Sequence, residues 1–260
     1  MRSGSIILAF ASLSFAGVQA SISSQCINIR LQGAWLIANC LTGSGTTRIE
    51  SSVYLQDRIT NTEGVLGWQV NGNYAASCTG CTIVTPPATL SCNCKPTWGQ
   101  PVPASLNLEG HIAVYNGFIL SNLSGTPTPP TTVSTVAFPS DPSWNAFYGN
   151  TSCYSTNPET CPSPNVGSGT TCSTYASVSS SDGVANCFAF RYPISVPAWG
   201  SFADFKVVAP SGAFKFLVYD TVDCSGGVKG TLAASELGTC KEFNKQMLAF
   251  SAVPLWNAQT

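Results

Sequence analysis

The chain has 260 residues, with 11 Lys and Arg against 12 Asp and Glu, a formal net charge of -1. Charged residues make up 9% of it, far below the ~25% usual for a soluble domain, and no basic run is present to neutralise phosphates. A charge-driven nucleic-acid or anionic-lipid partner is therefore excluded. The one histidine, His111, excludes two-His metal sites and leaves a single ring for any Ser-His or Cys-His dyad.

Residues 1–20 read as a secretory signal. Arg2 gives a basic start, the apolar run IILAFASLSFAGV at 6–18 is too short to span a bilayer, and Val18-Gln19-Ala20 suits cleavage after Ala20. The expectation is a secreted, extracellular protein without membrane insertion. In an oxidising compartment the 12 cysteines form a disulfide framework. Cys26, Cys40, Cys78, Cys81, Cys92 and Cys94 precede the stretch SGTPTPPTTVST at 124–135; Cys153, Cys161, Cys172, Cys187, Cys224 and Cys240 follow it. The prolines hold that stretch extended, and its Ser and Thr cannot build a core. The reading is a signal peptide at 1–20, a first domain at 21–123, a Pro/Thr/Ser linker at 124–137 and a second disulfide-bonded domain at 138–260. Asn122 and Asn150 head N-glycosylation sequons near the linker's ends.

The first domain repeats itself. A shift of 54 lays Cys40 on Cys94, and a shift of 53 lays Ser52, Leu55, Ile59 and Gly64 on Ser105, Leu108, Ile112 and Gly117. Each half reads as a Cys-led strand, an alternating piece (Val53, Leu55; Leu106, Leu108), a tight turn at Glu63-Gly64 or Asn116-Gly117, and a return strand at 65–70 or 118–120. Leu66, Trp68 and Val70 alternate with Gly67 and Gln69, which predicts one face in a core. Residues 55–60 and 108–113 allow a turn of helix before each hairpin; no long amphipathic helix is legible.

These residues resemble the cyanovirin-N homology lectins. The resemblance rests on Cys26, GAWLIANC at 33–40, SSVYLQDRITNTEGVLGW at 51–68, Asn73-Tyr74 with Cys78, Leu90 with Cys94, and ASLNLEGHIAVYNGFIL at 104–120, and it spans roughly residues 21–123. It implies an all-β fold of two pseudo-symmetric halves with short helical turns, and disulfides joining Cys26 with Cys40 and Cys78 with Cys94. Cys81 and Cys92, just inside the second bridge on facing strands, should then close a third.

The same resemblance implies mannose-rich oligosaccharide ligands at two shallow polar grooves, one per half, with no cofactor or metal. Carried over by position, one groove draws on Thr60, Asn61, Asn73, Ser77, Lys95, Thr97 and Gln100. The opposite groove uses Ser24, Gln25, Thr42, Ser44, Tyr115 and Asn116; it is expected to be weaker, because Leu41, Val114 and Asn116 depart from the family pattern. Asparagines beside turns also satisfy their own turns, as Asn61 and Asn116 could. His111 reads as structural. Among the tryptophans, Trp35, Trp68 and Trp98 are candidate sugar platforms; the alternation assigns Trp68 to packing and leaves Trp98, in the loop after Lys95, as the one to follow.

Beyond the linker the chain again reads as all β. Strand-like runs occur at 187–192, 205–208 and 213–219, with turns at Asp182-Gly183, 210–212 and 225–227. The close of the chain resembles secreted β-sandwich modules of the crystallin type. Six cysteines allow ~15 pairings, and sequence proximity favours Cys153 with Cys161, Cys172 with Cys187 and Cys224 with Cys240. Asp204, Asp220, Asp223, Glu236 and Glu242 could supply a glycosidase acid pair or a calcium cage, but no paired spacing or calcium-loop pattern is present, and loop carboxylates are the simpler reading. The leading function is a secreted lectin and not an enzyme. The alternatives are a lectin module delivering a catalytic C-terminal domain, and a structural or host-interaction protein whose grooves no longer bind. A monomer is expected, although this family's fold can exchange halves between chains about a hinge near 69–73.

Overall fold

In the N-terminal half, Cys26 with Cys40 and Cys78 with Cys94 bridge paired strands in register. The computed structural model describes residues 20–43, 45–149, 175–190 and 202–259. Most of the expected signal, Ser44, Asn150, Cys153, Cys161 and Cys172 lie outside the described residues. Strands β1 (Cys26–Gln32), β2 (Trp35–Leu41) and β3 (Arg48–Tyr54) form an antiparallel sheet in which Cys26 faces Cys40 and is bonded to it. After the first hairpin, β4 (Ile59–Thr62) with β5 (Val65–Trp68), the pattern recurs: β6 (Cys78–Val84), β7 (Thr89–Cys94) and β8 (Val102–Asn107) pair in order. Here Cys78 faces and is bonded to Cys94, with the Cys81–Cys92 bridge inside it. A second hairpin, β9 (Ile112–Tyr115) with β10 (Phe118–Ser121), closes the half. Single 3-10 turns, Leu55–Asp57 and Leu108–Gly110, precede the two hairpins. All-β structure and the expected bridges are thus present.

Both hairpin tips put consecutive residues at positive φ, Glu63 (52°) with Gly64 (86°) and Asn116 (51°) with Gly117 (88°), the twist that two-residue turns between strands demand. Gly64 is required sterically as well, since a Cβ there would come within 2.6 Å of Val102 Cγ2. The return strand stops at Trp68, short of the expected span, and Val70 is 46% exposed. Gln69 and Asn71 instead donate to the carbonyls of Arg58 and Asp57, so the chain folds back on its own hairpin. Leu55, Ile59, Leu90, Leu108, Ile112 and Ile119 fill the core between the halves.

Glu109 ties the halves together. Its Oε1 accepts from Ser23 N (2.9 Å), Ala88 N (3.3 Å) and the Ser23 hydroxyl. Burial pushes this carboxyl up, but the Ser23 and Ala88 donors outweigh it and hold the pKa below its ordinary value.

The C-terminal half is a sandwich of two four-stranded antiparallel sheets. One orders β12 (Tyr175–Ser180), β11 (Trp144–Gly149), β14 (Phe202–Val208) and β17 (Lys241–Met247); the other orders β13 (Ala185–Ala189), β18 (Ala249–Pro254), β15 (Phe214–Tyr219) and β16 (Val228–Leu232). Trp144, Phe190, Phe205, Phe216 and Phe250 pack edge-on or tilted between them. The proximity pairing of cysteines fails here. Cys187 is bonded to Cys224, which rules out Cys187 with Cys172 and Cys224 with Cys240. The reason is topological: β18 lies between β13 and β15, and the loop leaving β15 reaches across β18 to Cys187 on β13. Cys240 is also disulfide-bonded.

One hydrophobic cluster spans the two halves, beside the CVNH-side core described above. Trp35 and Tyr54 of the first sheet join Phe138, Phe214 and Trp256 in a single cluster, with Trp35 and Trp256 edge-to-face at 5.5 Å. Trp35 is completely buried and therefore is not a sugar platform. The chain's last strand, β19 (Ala258–Gln259), adds in parallel to β3 and makes the first sheet four-stranded. The Pro/Thr/Ser stretch runs without regular structure and is then fastened at its far end: Ser134 N donates to Asn257 Oδ1 (2.8 Å), and Phe138 N to Glu50 Oε1 (2.7 Å).

Candidate functional site

A polar groove of about 450 Å³ opens where the first hairpin meets the ends of β6 and β7. Asn61, Thr62 and Glu63 line it from the hairpin; Ser77, Lys95, Pro96 and Thr97 line it from the segments flanking the Cys78–Cys94 bridge. The folding logic is local. The bridge fixes Ser77 and Lys95 side by side, with Lys95 N donating to Ser77 O at 2.9 Å, and the positive-φ turn brings Asn61 and Glu63 to face them.

Asn61 frames the groove. Its Nδ2 donates to Ser77 Oγ and to Lys95 O, each at 2.8 Å, and its Oδ1 accepts from Gly64 N at 2.9 Å. One amide thereby cross-links the hairpin turn to both sides of the bridge while satisfying its own turn. Glu63 does the same for the next loop: its carboxylate accepts from Thr97 N (3.1 Å) and from the Thr97 hydroxyl. The exposed Lys95 ammonium has no ion pair among the described residues. The site therefore offers an ammonium, a hydroxyl, a side-chain amide and a carboxylate in a shallow, open surface, a set suited to a polyol.

Of the residues expected here, Asn61, Ser77, Lys95 and Thr97 meet in the groove; Thr60, Asn73 and Gln100 are not in its lining. Thr60 and Asn73 bridge to each other at the hairpin's base, where Asn73 sits in the left-handed region (φ 56°) and accepts from Gln56 Nε2 at 2.8 Å. Glu63 was legible as a turn residue but not as a groove residue, because its partner Thr97 lies 34 positions away.

The opposite end is built differently. A shift of 53 lays Asn61 on Val114, which is buried and pairs with Ala20 instead of cross-linking a turn. Leu41 follows Cys40 where Lys95 follows Cys94. Tyr115 is buried with Phe118, Leu120 and Ile49. Thr42 N and Oγ1 both bond to Thr47 O, at 2.9 and 3.3 Å, and Arg48 occupies the Gln25 carbonyl. Ser24 Oγ is turned onto Ser21 O at 3.1 Å, and Asn116 is exposed at its hairpin tip. Among the described residues, this end therefore lacks the cross-linked frame of the first.

His111 is structural in its contacts, packing edge-on against Trp68 at 5.1 Å, with Nδ1 2.8 Å from Asn122 Oδ1. In the sandwich, Asp220 pairs with Lys229 (3.0 Å) and Glu236 with Lys241 (2.6 Å), while Asp223 Oδ1 accepts from Ser225. Among the described residues, no three His, Cys, Asp or Glu side chains converge on a point that could hold a metal ion.

Residues 22–119 match the family model of the CVNH domain. This segment is a CVNH domain. Similar solved structures include Gibberella zeae CVNH (29% identity, 38% of this chain and 94% of that one, TM-score 0.34). A MoCVNH3 variant in complex with (N-GlcNAc)4 matches at 20% identity over 40% and 99% (TM-score 0.36). A microvirin:mannobiose complex matches at 21% over 39% and 98% (TM-score 0.34). A search of curated proteins finds no match. The family model takes in the tandem bridges and repeated hairpins, and the sandwich lies outside it.

Proposed function

We propose that the protein is a secreted lectin whose CVNH domain takes mannose-rich oligosaccharides in the groove framed by Asn61, with the opposite end weaker or silent. The CVNH domain supports carbohydrate binding. The observation that carries it is the meeting of Asn61, Ser77, Lys95 and Thr97, expected from the family's motif positions, in one polar groove. Sugar hydroxyls each donate and accept, so a surface of fixed amide, hydroxyl, ammonium and carboxylate groups matches them without any reactive apparatus. The sandwich is read as a stabilising module and not as an enzyme; the commitment of Asp220 and Glu236 to lysines supports this. The several disulfides support export.

A glycan array on the full-length mature chain, followed by calorimetry with a mannose-rich oligosaccharide, tests the proposal. Heat that saturates with one site per chain is expected. No binding to any glycan at millimolar concentration would leave the non-binding structural role, and release of reducing ends from the glycan would establish the enzyme alternative.

A further inference from the structure

We infer that Trp98 is a stacking platform beside the Asn61 groove, so that the ligand is a disaccharide or longer oligosaccharide with one ring in the groove and the next over the indole. The inference rests on the carbohydrate reading of that groove and deepens it.

The indole is 87% exposed, whereas Trp35, Trp144 and Trp256 are buried and Trp68 is half-buried against His111. It is the one exposed large aromatic side chain among the described residues. An exposed indole keeps a large apolar area in water that folding gains nothing by leaving there. Scattered surface valines need no explanation, but this ring stands at a particular place. Trp98 directly follows Thr97, whose amide and hydroxyl are both held by Glu63, so the backbone that carries the indole is anchored to the groove wall. Gly99, at φ 120°, then turns the loop back over Pro96. The indole is thus mounted on a fixed base rather than on a loose tail.

Chemistry selects the occupant. A pyranose presents hydroxyls at its rim and C–H bonds on its faces. The groove's side chains answer the hydroxyls; a C–H face needs an apolar, electron-rich surface, which an indole supplies. Val65 (67% exposed) follows the hairpin tip and Val102 (42% exposed) reaches it at Gly64, next to Glu63, whose carboxylate holds Thr97. A protein partner would favour a continuous apolar face with charged residues depleted at its centre. Small apolar areas broken by polar groups fit a chain of sugar rings better.

The test compares the full chain with Trp98→Ala and Trp98→Phe, using mannobiose, tetra-N-acetylglucosamine and the corresponding monosaccharides as probes. For whichever oligosaccharide the wild type binds, Trp98→Ala should bind about tenfold more weakly, the scale on which alanine in place of a stacking aromatic weakens binding, and Trp98→Phe should recover most of the affinity. Monosaccharide affinity and the thermal midpoint should not move. The emission that the wild type has and Trp98→Phe lacks should shift to the blue on oligosaccharide binding. Wild-type binding with equal affinity in Trp98→Ala and no spectral shift would overturn the platform and leave the groove standing. A wild type that binds neither oligosaccharide would remove the groove reading and the platform with it. A dimer that Trp98→Ala dissociates, with sugar binding unchanged, would assign the indole to contact between copies and overturn the inference.

Discussion

The indole Nε1–H of Trp35 donates to the backbone carbonyl of Asp182 at 2.7 Å, although the two residues are 147 positions apart. The carboxylate of the same aspartate accepts from the Tyr54 hydroxyl at 3.2 Å. Burial, then the Asp182 charge, push the Tyr54 phenol well above its ordinary pKa, so it remains a donor at any physiological pH. A tight turn of the sandwich is thereby plugged into the CVNH domain's first sheet.

One consequence is that the two halves should unfold together. Trp256 packs edge-to-face against Trp35, Phe138 and Phe214, and its Nε1 donates to Ser52 Oγ at 2.9 Å. Trp256→Ala removes a buried ring and orphans a hydroxyl, at a cost of about 3 to 5 kcal/mol. Denaturation followed by both far-ultraviolet dichroism and tryptophan emission should show one transition in the wild type, moved to lower denaturant in the variant. Two separated transitions, with only one of them moved, would show that the halves fold independently.

What the sequence disclosed divides by distance along the chain. The repeat, the hairpin tips and the strands that alternate were legible because their determinants are neighbours: Glu63 with Gly64, Asn116 with Gly117, and Phe214, Phe216 and Val218 on one face of β15. The Cys26–Cys40 and Cys78–Cys94 bridges followed from family resemblance. Contacts between remote segments were not legible. Nothing local to Trp35 distinguishes a platform from a core residue, and nothing local to Ala258 announces a strand that completes a sheet begun at Cys26. Cys187 pairs across an intervening strand, a relation that spacing does not encode.

The frame of the groove can be tested at Asn61. Asn61→Ala leaves Gly64 N, Ser77 Oγ and Lys95 O without their partner, which should cost about 2 to 3 kcal/mol of stability. It should also weaken oligosaccharide binding at least about tenfold, since Ser77 and Lys95 are no longer fixed to the hairpin. Asn73→Gly is the contrast. Asn73 has a positive φ that glycine adopts freely and lies outside the groove lining, so stability and affinity should both stay close to wild type. Denaturant midpoints and calorimetry on the two variants decide the matter; equal losses in both would refute the distinction.

Glu109 predicts an acid sensitivity. Its pKa is lower in the folded protein than its ordinary value of 4.5, because the ionised form is the one that accepts from Ser23 and Ala88. The stabilisation is therefore complete above about pH 4.5 and is lost as pH falls below that value through the lowered folded-state pKa. Glu109→Gln keeps an acceptor oxygen but removes the titration. The wild-type melting temperature should fall more steeply than that of Glu109→Gln as the pH drops below about 4.5, with the variant already lower at pH 7. Parallel pH profiles would show that Glu109 contributes nothing by its charge.

The loop that carries Lys95 and Trp98 is held to the hairpin by the Asn61 amide at Lys95 O and by the Glu63 carboxylate at the amide and hydroxyl of Thr97. Glu63→Ala should free that loop while leaving the Asn61 cross-link and the Cys78–Cys94 bridge intact. Hydrogen exchange at the Thr97 amide should then rise about tenfold or more, with exchange in the paired centre of β7 unchanged. Glu63→Gln, whose amide carbonyl can still accept, should fall between the two. Binding should follow the order of the exchange rates, wild type tightest and Glu63→Ala weakest, because each increment of loop freedom must be removed again when a sugar is bound. Fast Thr97 exchange in the wild type itself would mean that the carboxylate does not hold the loop, and would remove the basis for this order.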